Sequence, residues 1–143
     1  MLDTLRLLVD FGLVVLIWLV QLVIYPGFRH CSPQGLAHWH PIYTGKVTLV
    51  VAPLMFAQVG LVAWELAQDP RPSQYLVAAL VLVAWLSTFL QSVPAHGQIA
   101  SGRDAFAAVE RLIRGNWIRT FAWSAAFLVD AQDTGLLAFL RGD

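Results

Sequence analysis

Four apolar stretches, each near the length that crosses a lipid bilayer, constrain the fold of this chain more than any other feature. They cover about residues 7–25, 42–66, 74–93 and 116–129. A membrane-spanning helix needs about 20 mostly apolar residues. The chain is 58% hydrophobic and 13% charged, whereas soluble domains average roughly 45–50% and 25%. The 143 residues therefore predict one all-α domain, 1–143, folded as an integral membrane four-helix bundle.

Prolines and charges indicate where these spans end or bend. Pro26 is expected to end the first span and Pro94 the third, because proline lacks the N–H that continues a helix. Pro53 lies inside the second span and predicts a kink there. Residues 103–114 have apolar positions at helical spacing between charges. This pattern predicts an amphipathic segment before the fourth span, with Gly115 as a bend between the two.

Charge and the amino-terminal sequence narrow the class of protein. Lys plus Arg equals Asp plus Glu at nine each, so no basic surface indicates a nucleic-acid partner. The first apolar run lacks a small-residue cleavage site and exceeds the length of a signal peptide core, so we expect it to remain as a span. Most basic residues flank the side of the bundle that carries the two long loops, which favours placing those loops in the cytoplasm.

The polar side chains of the spans gather toward that same side. All four histidines lie in or beside the two long loops, and each span carries a polar stripe on one helical face. The stripes predict a shared polar pocket near one membrane face, with little but apolar side chains toward the other. Aromatic residues at the headgroups and snorkelling basic residues are the alternative. The stripes are Trp18, Gln21 and Tyr25; His40, Tyr43 and Thr44; Thr88, Gln91 and Ser92; and Asn116, Arg119, Thr120 and Trp123.

The histidines allow more than one role. His38 and His40, together with His96, could ligate zinc, copper or non-haem iron, could lie at the surface, or could transfer protons. No Cys-x-x-Cys or His-Glu-x-x-His motif accompanies them, so we assign no metal ligand. Glu110 and Arg114 stand four residues apart and are expected to form a surface ion pair.

Two segments resemble known membrane proteins. The stretches HPIYTGKVTLVVAPLMFAQV (40–59) and VPAHGQIASG…LIRGNWIRTFAW (93–123) are similar to bacterial four-span membrane proteins of unassigned role. Those proteins in turn resemble the anthrone-oxygenase-like family. The resemblance implies a multi-pass protein of the bacterial inner membrane that binds or acts on an aromatic or quinoid molecule without an obvious bound cofactor. It points to His96, Asn116, Trp117 and Arg119, and the chain departs from the family pattern after Trp123.

The first functional hypothesis is a protein that binds, and by extension oxidises, an apolar aromatic or quinoid ligand. Arg119 and Asn116 would hold a ligand oxygen, and His40 or His96 would move a proton. The sequence identifies no particular cofactor. The candidate ligand-binding or cofactor-binding side chains are Tyr43, Gln91, Trp117 and Trp123.

The second hypothesis is a non-catalytic accessory subunit of a larger energy-converting membrane complex, in contact with partner helices, lipids or pigments. A homo-oligomer or pore is a third possibility. The positions of Trp18, Trp64 and Trp85 discriminate between them, because a ligand-binding bundle would line its cavity with such side chains and a subunit would expose them outward.

Overall fold

A computed structural model describes residues 2–141, which form five helices and no strands in that range. The predicted all-α fold is therefore confirmed for those residues. The helices are α1 (Leu2–His30), α2 (Pro33–Gln68), α3 (Pro72–Ala100), α4 (Ala105–Asp133) and α5 (Leu136–Arg141). Helices α1, α2 and α3 are each long and apolar enough to cross a membrane.

Local sequence signals explain where several helices begin and end. Ser32 caps α2 by accepting a hydrogen bond from the backbone N–H of Gly35 at 3.1 Å, as hydroxyl residues commonly do at helix starts. Pro72 occupies the first turn of α3, where its missing N–H costs nothing. Gly102 and Gly135 adopt φ values of 69° and 74° in the turns before α4 and α5. The short turns after α1, α2 and α3 make successive long helices antiparallel neighbours.

Pro26 and Pro94 do not end their helices, contrary to prediction. Helix α1 opens into a π-helical turn over Val20–Ile24, and α3 opens into one over Thr88–Ser92. In both cases the residue just before the proline donates its backbone N–H to the carbonyl five residues earlier. The wider turn accommodates the proline ring, which would otherwise clash with the preceding carbonyl. Both helices therefore continue beyond their prolines.

Gly115 is not a bend between two helices. The predicted amphipathic segment and the predicted fourth apolar stretch belong to one continuous helix, Ala105–Asp133. A Cβ atom at Gly115 would lie 2.6 Å from Oε1 of Gln91. The glycine therefore allows the Gln91 side chain to pack directly against the α4 backbone.

The outer surface of the bundle is rich in large apolar side chains. Leu8 and Phe11 of α1, Leu49 of α2, Leu90 of α3 and Phe121 of α4 are each more than half exposed. Soluble monomers rarely expose large contiguous apolar patches. A lipid environment would cover this surface, in agreement with the three apolar helices.

Candidate functional site

A cavity of about 240 Å³ lies between all four long helices. Most of its wall is apolar, and its polar side chains include Tyr25, His96 and Arg119. Thr48 of α2 and Val93 of α3 are the exposed lining residues, so the mouth of the cavity lies between these two helices. The cavity is thus an apolar chamber with a polar wall contributed by α1, α3 and α4.

A chain of hydrogen bonds forms that polar wall. Arg119 Nη2 donates to the Tyr25 hydroxyl at 3.2 Å, and this hydroxyl lies 3.0 Å from His96 Nε2. His96 Nδ1 in turn lies 2.8 Å from His40 Nε2. Arg119, Tyr25 and His96 line the cavity, whereas His40 lies behind His96 and is fully buried. Of the predicted histidines, His40 and His96 therefore lie one behind the other along the chain of hydrogen bonds.

Donor and acceptor rules allow this chain two arrangements. Arginine can only donate, so the Tyr25 oxygen always accepts from Arg119. In one arrangement Tyr25 donates to His96, which donates to His40. In the other, His40 donates to His96, which donates to Tyr25, and the tyrosine hydroxyl hydrogen is released for another acceptor. The two arrangements differ in which ring nitrogen of each histidine carries the hydrogen.

Asn116 positions Arg119 rather than lining the cavity. Its Oδ1 accepts from Arg119 Nη2, while its Nδ2 donates to Gln21 Oε1 at 2.9 Å. Gln21 lies in the π-helical turn of α1 and donates to the Ile113 carbonyl at 3.2 Å. The structure therefore places Asn116 against protein groups and not at the cavity, where it was predicted to hold a ligand oxygen.

Arg119 carries a buried positive charge with neutral partners. The side chain is 7% exposed and contacts Tyr25, Asn116 and Thr88, the last at 3.5 Å. Its Nε is buried without a hydrogen-bond partner among residues 2–141. A buried charge without a counterion is costly unless other groups compensate it. The site is therefore suited to an additional acceptor or a negatively charged oxygen.

The other candidate residues divide into two groups. Tyr43 and Trp123 line the cavity as aromatic walls. Trp123 is held there by a hydrogen bond from Nε1 to Gln58 Oε1 at 3.0 Å. Gln91 is exposed beside Gly115, and Trp117 stacks on Phe121 at 5.3 Å, so neither reaches the cavity.

A second polar cluster lies at the opposite end of the bundle, where we expected little but apolar side chains. Arg6 is 2% exposed and donates to Asp10 at 2.9 Å, Glu65 at 2.6 Å and Asp130 at 2.8 Å. Asp10 also accepts from Gln58 at 2.6 Å. The spacing of Arg6 and Asp10, four residues apart, was the available sequence signal. The two polar regions are linked through Gln58, which contacts both Asp10 and Trp123.

The predicted Glu110–Arg114 pair is replaced by a pair between two helices. Arg29 Nε and Nη2 donate to the two oxygens of Glu110 at 2.6 and 2.7 Å. These hydrogen bonds hold the pKa of Glu110 below its ordinary value. The bidentate pair ties the end of α1 to the first half of α4 at the surface.

The structure gives no support for a histidine metal site. His38 is exposed, while His40 and His96 bond to each other. Among residues 2–141, no three His, Cys, Asp or Glu side chains are arranged to hold a metal ion. The His40–His96 contact fits the proton-transfer or ligand-contact alternative.

Comparisons with protein-family models, with curated proteins and with solved structures found no match to this chain.

Proposed function

We propose that this protein is a four-span membrane protein that binds a compact aromatic or quinoid ligand in the cavity between α1, α2, α3 and α4. The observation that carries the proposal is the apolar chamber with Arg119, Tyr25 and His96 along one wall. Oxidation of the bound ring stays a prediction, as does the kink at Pro53.

The fourth span is supported by the positions of its polar residues. Helix α4 has 29 residues, which gives a length of about 43 Å and exceeds the roughly 30 Å hydrocarbon core. Asn116, Arg119 and Thr120 lower its apolar character, yet all three are buried inside the bundle. Phe121 and Leu128, in contrast, are exposed on its outer face. Polar residues in membrane helices are expected to face the bundle interior in this way.

The size and chemistry of the chamber indicate the class of ligand. An apolar cavity of about 150 Å³ holds benzene, so 240 Å³ accommodates a substituted ring or two fused rings. Tyr43 and Trp123 provide aromatic walls against which such a ring can pack. Arg119 and, in the second arrangement, the Tyr25 hydroxyl would donate to a carbonyl oxygen, whereas in the first arrangement the Tyr25 oxygen would accept a hydrogen bond from a ring hydroxyl. A quinone and its quinol would thus both find complementary groups.

Binding of duroquinone to the detergent-solubilised protein tests the proposal. The measurement is quenching of tryptophan fluorescence, because Trp123 lines the chamber. Arg119→Ala should weaken binding by about tenfold or more, since a hydrogen bond to a charged group contributes about 1.5–3 kcal/mol. Arg114→Ala, which removes an exposed arginine from the same helix, is the matched control and should leave binding unchanged.

Durene, the same methylated ring without the two oxygens, sharpens the test. It should bind the wild-type protein more weakly than duroquinone and should be insensitive to Arg119→Ala. Equal affinity for both compounds, or unchanged duroquinone binding in Arg119→Ala, would contradict the proposal. Arg119→Gln, which keeps a donor at this position, checks that any loss does not come from misfolding.

One observation favours the accessory-subunit hypothesis as a second candidate. Trp64 is 54% exposed, and neither Trp18 nor Trp85 lines the chamber. An exposed tryptophan such as Trp64 suits contact with partner helices as well as with lipid. The mass of the particle extracted from its native membrane in mild detergent tests this candidate. A particle of the chain's own mass would contradict it, and a larger particle that dissociates in Trp64→Ser would support it.

A further inference from the structure

A second cavity, of about 250 Å³, lies at the end of the bundle that holds Arg6. Its wall includes Arg6 and Glu65, and Asp130 comes from the far end of α4. This cavity is separate from the chamber of the proposed function, which has no lining residue in common with it. Arg71 and Gln74 also line the cavity.

The charges around this cavity are unbalanced. Arg6 bonds to three carboxylates, those of Asp10, Glu65 and Asp130, and brings a single positive charge to them. Arg71 is exposed and lies 3.3 Å from Asp69 and 4.0 Å from Asp133, so it does not reach the buried carboxylates with which Arg6 pairs. Buried charges of one sign require compensation by pairing, by a cation or by proton uptake.

The side chain of Gln74 provides evidence for a ligand that is independent of the charge imbalance. The residue is 3% exposed and lines the cavity, and its Oε1 is buried without a hydrogen-bond donor among residues 2–141. A buried amide oxygen without a partner costs about 1–3 kcal/mol. Ionised carboxylates only accept hydrogen bonds, so Glu65 and Asp130 cannot satisfy it. A positively charged ligand in the cavity would compensate both the amide oxygen and the carboxylates.

We propose that this cavity binds one monovalent inorganic cation, with oxygen atoms of Glu65, Asp130 and Gln74 as its protein ligands. Arg6 uses one oxygen of each carboxylate, Oε2 of Glu65 and Oδ2 of Asp130, which leaves a second oxygen on each. Carboxylate and amide oxygens suit hard cations, which complete their coordination with water. Three protein oxygens are fewer than the roughly six to eight that calcium takes, and magnesium gives up its bound water reluctantly, so a monovalent ion fits this ligand set.

Sodium is the probe for the test. Thermal unfolding of the full chain in detergent is followed while NaCl replaces choline chloride at constant ionic strength and at neutral pH. The melting temperature should rise with sodium concentration and saturate, as ligand binding to the native state requires. Isothermal titration with NaCl should give one site per chain.

Two cavity variants and one control complete the design. Gln74→Leu should weaken sodium binding by about tenfold, the equivalent of 1.4 kcal/mol, and Asp130→Asn should abolish the saturable response. Asp104→Asn, which removes an exposed carboxylate from the turn before α4, should respond to sodium like the wild type.

Three results would overturn the proposal. The first is an equal response to choline and sodium, which would indicate ionic strength alone. The second is a sodium response that persists unchanged in Gln74→Leu. The third is stabilisation by acidification with no effect of sodium at any pH, which would indicate that the cavity takes up a proton instead. None of these results bears on duroquinone binding, so the two proposals fail independently.

Discussion

The two polar regions of this bundle are built on opposite principles. At one end, Arg119 is surrounded by the neutral partners Tyr25, Asn116 and Thr88, so the region carries a positive charge without a counterion. At the other end, Arg6 is surrounded by three carboxylates. The first region borders an apolar chamber and has hydrogen-bonding capacity to spare, whereas the second uses its arginine to tie helices together. A buried arginine can thus tie helices together when carboxylates surround it, or keep unused hydrogen-bonding capacity when its partners are neutral.

The two regions also connect the helices through different kinds of contact. Arg6 joins α1 to α2 and α4 through direct ion pairs. Arg119 bonds to α1 through Tyr25 and to α3 through Thr88, at the longer distances of 3.2 and 3.5 Å. Short charged contacts hold a geometry more firmly than long neutral ones. We therefore expect the end with Arg6 to be the more resistant to unfolding.

Arg6→Met should have the largest effect on stability. It removes the donor that Asp10, Glu65 and Asp130 share, and breaking a buried ion pair by removing one partner costs about 3–5 kcal/mol. Arg119→Met should cost less, about 1–3 kcal/mol, because it only leaves neutral groups unsatisfied. The measurement is the free energy of unfolding by SDS titration in mixed micelles. Equal losses for the two variants would remove the distinction between the two ends.

Gln58→Leu should have the second-largest effect, because Gln58 bonds to both regions. The variant leaves the buried Trp123 N–H without its acceptor, at about 1–3 kcal/mol, whereas Asp10 keeps its hydrogen bond from Arg6. The same unfolding titration measures the loss. Gln132→Leu, an exposed position on α4, should change the stability by less than about 0.5 kcal/mol. A loss in Gln58→Leu no larger than in this control would show that the bridge contributes nothing.

The sequence predicted one of these regions and missed the other for a physical reason. Tyr25, His96 and Arg119 lie on polar stripes, and such stripes in apolar helices must face inward. The cluster at the other end depends on Glu65 and Asp130, which are 59 and 124 residues from Arg6 in the chain. Only the packing of α1, α2 and α4 brings them together, and no local pattern reports that.

The π-helical turns explain the errors within the predicted stripes. Gln91 was placed on the inward face of α3 by assuming a regular α-helical step from Thr88. The π-helical turn over Thr88–Ser92 changes that step, so that Ser92 remains buried and Gln91 is exposed. The prolines at the same places wrongly predicted helix ends. Whether a helix continues past a proline depends on its neighbours in the bundle, which the local sequence does not show.

Tyr25→Phe sharpens the contrast at the chamber end. The hydroxyl connects Arg119 to His96, so its loss interrupts the proton chain while the ring keeps its packing. Duroquinone binding should weaken by severalfold, because a neutral hydrogen bond contributes about 0.5–1.5 kcal/mol. Fluorescence quenching measures the change. Tyr75→Phe removes a hydroxyl from a 61% exposed side chain and should leave duroquinone binding unchanged. An equal loss of binding in Tyr75→Phe would show that the effect does not come from the chamber.

Removal of the surface ion pair between Arg29 and Glu110 should have the smallest effect on stability. Its dependence on pH and salt distinguishes exposed ion pairs from buried ones. Hydrogen bonds from Arg29 lower the pKa of Glu110 in the folded state. A carboxyl with a lowered folded pKa contributes stability above its unfolded pKa and loses it as the pH falls through the folded value. The melting temperatures of the wild type and of the Arg29→Gln/Glu110→Gln double variant should therefore differ slightly at neutral pH and converge in acid. High salt should also remove the difference, because exposed charges are screened. A difference that survived both acid and salt would mean that the pair acts through packing rather than charge, unlike the ion pairs of Arg6, which are shielded from solvent.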